Sequence, residues 1–302
     1  MEGPRSLRRW KPAMWMTMGA TLALGGIVRS QPLASQPRLH VTFPGNTTDQ
    51  TKLAAAVPLG EDSLWVTVVA PGADASHPAP KPIAAGTKIE LVGHDPVSTL
   101  AFLRVSGPTG RETQWLDRVA GGSGQTLYAM GPAGTVKFQT NGWVQQFNRK
   151  ILPFALLRVG FDQNPPPPGS AMMDQQGRIA AVYFQTAGSG NTGYAIPAEA
   201  VHRVRRDVCS KGHLVRGWIG LSLQAENAAP QVVRVLPGSP AQKAGIHAND
   251  VLTQVGGLAV SSYPDAANAF FYLIPGDPVR VKILRGATPM EFTLTPVSPQ
   301  EG

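Results

Sequence analysis

The sequence predicts a mainly β chain, organised as a larger body followed by a smaller C-terminal domain. Three observations predict it. Apolar runs are short and stand between Gly, Pro and Asp turns. Gly (33) and Pro (28) are both abundant among the 302 residues, which favours short strands over long helices. Apart from two short capped segments near the C-terminus, helical periodicity is absent. The length suffices for two packed domains and a short targeting segment.

Residues 1–35 read as an export signal. Arg5, Arg8, Arg9 and Lys11 form a basic start, and the stretch from Pro12 to Val28 carries no charge. Val28-Arg29-Ser30 and Leu33-Ala34-Ser35 both fit a small-residue cleavage site. At about 17 residues the apolar stretch lies at the lower edge of what spans a bilayer, so an uncleaved N-terminal membrane anchor is the alternative. Either reading places the body outside the cytoplasm, in a periplasmic or extracellular space. The lone Cys209 cannot form an internal disulfide.

Residues 36–205 contain the runs Leu64 to Val69, Ile89 to Val92, Leu100 to Val105, Leu127 to Met130 and Ile179 to Phe184. Separated by turn residues, they predict an all-β sandwich or barrel.

Residues 214–297 predict a small sheet with two helices. Val232 to Val235 is a strand. Ser239 follows as an N-cap with Pro240 at the first helical position, and Gly245 ends that helix. Val251 to Val255 and Leu258 to Val260 form a hairpin about Gly256-Gly257. Ser262 and Asp265 open a capping box for a helix through Leu273, which Gly276 stops. Val279, Val281 and Ile283 alternate with polar residues as a half-exposed strand, and Met290, Phe292 and Leu294 continue the sheet.

Charge and composition exclude several functions. The N-terminal basic residues and Arg29, offset only by Glu2, carry half of the net +8, and no basic cluster with interleaved aromatics remains for nucleic acid. The six histidines are scattered without ligand spacing, so neither a metal nor another cofactor is expected.

Gly217-Trp218-Ile219-Gly220-Leu221, Val235-Leu236-Pro237-Gly238-Ser239-Pro240-Ala241, Ala244-Gly245, Asn249-Asp250-Val251-Leu252 and Pro275-Gly276-Asp277 resemble, in order and spacing, the PDZ domains of HtrA (Deg-type) envelope proteases. The resemblance implies capture of C-terminal peptides. Trp218 to Leu221 would form the carboxylate-binding loop, a nest of backbone N–H groups, and the peptide would add as a strand beside it. Ile219 and Leu221, with Ala267 and Phe271, are candidates for an apolar pocket. For Ala267 and Phe271 a second reading stands, as core residues facing away. Arg216 either draws the carboxylate or is a solvated surface residue. Gly220→Val is expected to weaken binding without unfolding the domain, by crowding the peptide backbone.

Upstream, Leu91 to Asp95 followed by Leu100 to Val105, Ala129 to Pro132, Gly142 to Val144, Gly177 to Ile179 and Gly193 to Pro197 are similar to the trypsin-like double β-barrel of the same family. Under that resemblance the triad histidine falls on Ala70, the aspartate on Thr99 and the nucleophile on Pro168, within Asn164-Pro165-Pro166-Pro167-Pro168-Gly169-Ser170-Ala171. The oxyanion donors would be the N–H groups of Pro168 and Pro166, which proline lacks. Losing one such donor already costs about 3–4 kcal/mol of transition-state stabilisation.

The resemblance therefore implies an exported pseudoprotease that binds C-terminal peptides of partner or misfolded envelope proteins. One alternative is an active HtrA-type endopeptidase with a rearranged site, using Ser170 as nucleophile, His77 as base and Asp95 or Asp162 as its partner. Another is a holdase chaperone without carboxylate dependence. HtrA relatives commonly form trimers, so a homo-oligomer is expected from the resemblance.

Overall fold

The computed structural model describes residues 39–299, except 46–50, 61–62, 71, 75–78, 83–85, 107–112, 120–122, 148–149, 189 and 225–228. The expectations for residues 1–35 and for His77 lie outside the described residues. The first sheet contains β1 (Leu39–Pro44), β2 (Thr51–Pro58), β3 (Leu64–Val68), β4 (Lys81–Pro82), β5 (Lys88–His94) and β6 (Leu100–Ser106). Their spatial order is β4-β1-β2-β3-β6-β5, with every neighbouring pair antiparallel. The edge strands β4 and β5 approach one another.

The second sheet closes into a barrel of β7 (Ser123–Gly131), β8 (Gly134–Phe147), β9 (Lys150–Phe161), β10 (Ala171–Met173), β11 (Ile179–Thr186) and β12 (Thr192–Pro197), in the order β10-β11-β12-β9-β8-β7. A mainly β fold of two barrel-like sheets is thus present, as the resemblance implied. Successive strand residues face opposite sides, and β6 buries both. Ala101, Leu103 and Val105 pack with Val41, Phe43 and Trp65 inside the first sheet. Leu100 and Phe102 pack with Ile179, Val182 and Ile196 at the junction of the two sheets. That double burial explains its apolar run from Leu100 to Leu103, which the exposed Arg104 interrupts.

Helix α1 (Ala198–Lys211) leaves the second barrel, and the sequence reading did not anticipate it. Val201, Val204 and Val208 seat it in the junction core, and Gly212, at φ 79, caps it in the left-handed region. Between those valines the helix buries an ion pair, Arg203 with Asp207.

The C-terminal part has a two-stranded sheet, β13 (Leu221–Leu223) with β14 (Val232–Val235), and a four-stranded one. The latter runs β16-β15-β17-β18, from β15 (Val251–Val255), β16 (Leu258–Ala259), β17 (Val279–Arg285) and β18 (Thr288–Leu294). Helix α2 (Pro240–Ala244) starts where Ser239 Oγ accepts from the Gln242 N–H and ends at Gly245. Helix α3 (Tyr263–Phe271) starts at Ser262, whose Oγ accepts from the Asp265 N–H, and ends two residues before the expected Leu273.

Two sets of ties join this part to the barrels. The Arg203 guanidinium donates to the carbonyls of Val215 and Leu273, while Asp207 accepts from the Val215 N–H. Helix α3 lies on β9, where Asn268 Oδ1 accepts from the Ala155 N–H (2.7 Å) and the rings of Phe271 and Phe154 stand 4.7 Å apart. Gln145 Nε2 of β8 donates to Asp265 (2.9 Å).

Candidate functional site: a groove between β13 and α3

A groove of about 520 Å³ runs between β13 and α3. All six residues named from the sequence line it: Trp218, Ile219, Gly220, Leu221, Ala267 and Phe271. Tyr263, Phe270 and Leu223 also line it and were not anticipated. Tyr263, Ala267 and Phe270 follow the i, i+4, i+7 spacing of one helix face, so the signal was present once α3 was placed. Phe271 lines the groove, against the reading that turns it away, yet it is a core residue as well. It is buried against Phe154 and Tyr272. Arg216 sits in the lining as well.

The loop before β13 is tied back on its carbonyl side. The Ile219 carbonyl accepts from the Ala241 N–H (3.0 Å) and that of Gly220 from the Leu236 N–H (2.9 Å). Among the described residues no hydrogen bond uses the N–H of Ile219 or Gly220. Trp218 differs, because its N–H donates to the Val297 carbonyl (2.8 Å) and its carbonyl accepts from the Val297 N–H. The receptive donors are therefore those after Trp218. Among the described residues β13 pairs only with β14. The Gly220 carbonyl faces β14 to take the Leu236 N–H, so Leu221, one residue on, turns its own polar backbone groups away from β14. The free edge so formed suits an added strand.

Gly220 corrects the expectation attached to it. At φ +83, a Cβ would lie 2.1 Å from Ser239 Cβ and 2.6 Å from its Oγ. The missing side chain makes room for the cap of α2, and Gly220→Val would strike the domain's own framework before crowding a peptide.

In the barrels, the backbone links the segments of Ala70 and Thr99 directly: the Val69 N–H donates to the Thr99 carbonyl (2.8 Å). Thr99 is held at φ 61, and its Oγ1 is buried with no partner among the described residues. The Pro168 carbonyl accepts from the Ala55 N–H (2.7 Å) of β2, beside Ala56, which is registered with Thr67 of β3. Gly169 must lack a side chain, since a Cβ there would lie 2.0 Å from the Ala55 carbonyl oxygen.

From Pro165 to Ser170 the backbone offers no free donor. Four successive prolines have no N–H, that of Gly169 donates to the Tyr183 carbonyl (2.8 Å), and that of Ser170 donates to Pro167 (3.2 Å). Ser170 is buried and its Oγ donates to the Pro167 carbonyl (2.8 Å). Asp95 is also buried and accepts from the Ser98 N–H. Burial pushes the neighbouring His94 imidazole down, against the pull of the Asp95 carboxylate. Asp162 is exposed. No group of acids, histidines and cysteines able to hold a metal occurs among the described residues.

Two barrel-like sheets followed by a small domain with a groove between strand and helix define a trypsin-like plus PDZ architecture. The PDZ domain family model matches residues 217–295. The chain is 28% identical over 238 residues to a "Probable periplasmic serine endoprotease DegP-like" of Brucella suis, covering 70% of this chain and 46% of that protein. It is 25% identical over 228 residues to the "Periplasmic pH-dependent serine endoprotease DegQ" of Escherichia coli, covering 68% and 50%. The solved "HtrA-type protease AlgW with tripeptide" superposes with a TM-score of 0.59 at 17% identity, over 89% of this chain and 95% of that one. The chain is similar to the HtrA/DegP-type trypsin-like serine proteases with a PDZ domain, and it spans about half the length of the curated relatives it matches.

Proposed function

We propose that this protein is an exported HtrA-like pseudoprotease whose working site is the PDZ groove, which captures the free C-termini of partner or misfolded polypeptides. One observation carries the reading: the unengaged N–H groups of Ile219 and Gly220 stand at the head of an open strand edge beside an apolar groove. Those donors suit a carboxylate, and hydrogen bonds to a charged acceptor are about twice as strong as neutral ones. An apolar terminal residue would rest against Leu221, Ala267 and Phe271, its burial worth about 1.5–3 kcal/mol. The structure of AlgW with tripeptide lends this support by likeness of fold.

The loss of peptidase chemistry is argued from Ala70, Thr99 and Pro168 and from the exhausted backbone donors of Pro165 to Ser170. The names of the relatives, periplasmic endoproteases, support an exported location. The basic and apolar N-terminal segment is consistent with export by a signal or an anchor. A homotrimer follows from family likeness alone.

Titration calorimetry of the whole chain against one peptide, prepared as free acid and as amide, tests capture. Binding of the acid with loss of at most a small fraction on amidation is the holdase outcome. Loss of most of the affinity is the result expected here, and equal affinity refutes carboxylate capture. A fluorophosphonate probe tests the rest, because covalent labelling of Ser170 would establish an active hydrolase.

A further inference from the structure

The groove is not built by the PDZ domain alone. Pro153 of β9 joins its lining, and Phe271 rests on Phe154 of the same strand. The two rings are 5% and 4% exposed, respectively. The cause is local to β9. Its register with β8 slips between Val144, opposite Leu156, and Gln146, opposite Ile151. The residues between, Leu152 to Ala155, form a bulge, and bulges re-aim side chains and break the ladder. Pro153 has no N–H to give that ladder, and the N–H of Ala155 turns to Asn268 of α3 instead.

We propose that this bulge is a specificity element. Through Pro153 and Phe154 the barrel sets the depth of the pocket that receives the last side chain of a bound peptide, so terminal-residue size is read by the two domains together. The inference rests on the peptide-capture reading above. Packed interiors yield little, so Phe271 cannot recede while Phe154 stands behind it. Phe154 touches no peptide; it is a positioning residue acting through Phe271. Pro153 is a wall.

The test uses the whole chain and four peptides, identical except for a final Val or Phe, each as acid and amide. Phe154→Ala opens space beneath Phe271. It should move the ratio of the Val to the Phe affinities toward Phe by about tenfold or more, since one methylene alone separates side chains on that scale in an apolar pocket and Val and Phe differ by more. Phe154→Leu should shift the ratio less, and Pro153→Ala should also relax it. The preference for acid over amide should persist in all three. If Phe154→Ala loses its near-ultraviolet dichroism, the other two variants decide the matter. An unchanged ratio with acid-dependent binding intact overturns this inference and leaves peptide capture standing. Equal binding of acid and amide by the unaltered chain overturns both.

Discussion

Asp207→Ala should be among the most damaging single changes in the described chain. Its carboxylate and the Arg203 guanidinium are side chains exposed by only 3% and 4%. Removing the acid leaves a buried guanidinium with two carbonyl acceptors, Val215 at 2.7 Å and Leu273 at 3.1 Å, and no counter-charge. The Val215 N–H loses its acceptor at the same time. Breaking a buried pair in this way costs about 3–5 kcal/mol, and the unpaired amide, worth about 1–3 kcal/mol by itself, overlaps with that figure. Urea unfolding followed by tryptophan fluorescence measures the loss, and hydrogen exchange at the Val215 amide should quicken beyond the global change. The double variant Arg203→Met, Asp207→Leu should recover only part of the loss, since it removes the uncompensated charge but still leaves the Val215 N–H and carbonyl without their partners. A loss below about 1 kcal/mol for Asp207→Ala would refute the reasoning, because it would mean the guanidinium finds water or another acid.

Other outcomes follow from the same geometry. Under the proposed reading, in which Ala70 and Thr99 hold the base and orienting positions and Pro166 lacks a donor, Pro168→Ser alone should leave casein uncleaved; hydrolysis above the parent would place the catalytic partners elsewhere. Gly220→Ala should lower the stability of the PDZ domain by about 1–3 kcal/mol, from overpacking against Ser239 and a left-handed backbone, with binding falling alongside it. Full stability with selective loss of binding would reverse that assignment. Asp250 is held below its ordinary value of 3.8 chiefly by the hydrogen bond from Arg285, with burial opposing. A depressed carboxylate adds stability that is whole above the ordinary value and is lost as pH falls through the folded one. Denaturation midpoints between about pH 5 and 2 should therefore fall less steeply in Asp250→Asn than in the parent.

The sequence by itself determined the elements whose causes are local. Ser239-Pro240 with Gly245, and Ser262 with Asp265, bracket α2 and α3 because caps are made by residues three or four apart. The apolar run of β6 announced a strand, and the resemblance carried by Gly217 to Leu221 pointed to the groove-forming loop. Only the tertiary structure decided the rest, and the reason is distance along the chain. Helix α1 was hidden because Arg203 and Asp207 interrupt its apolar stripe, and they are tolerated inside only because Val215 and Leu273 arrive there from other elements. Trp218 looked like a free donor until Val297 came to face it, and Gly220 looked like room for a ligand until Ser239 filled that space. The bulge that lends Pro153 to the groove lies over sixty residues before the loop it serves. Periodicity and capping report what a residue does with its neighbours in sequence, whereas a groove shared by two domains depends on contacts that exist only after both have packed.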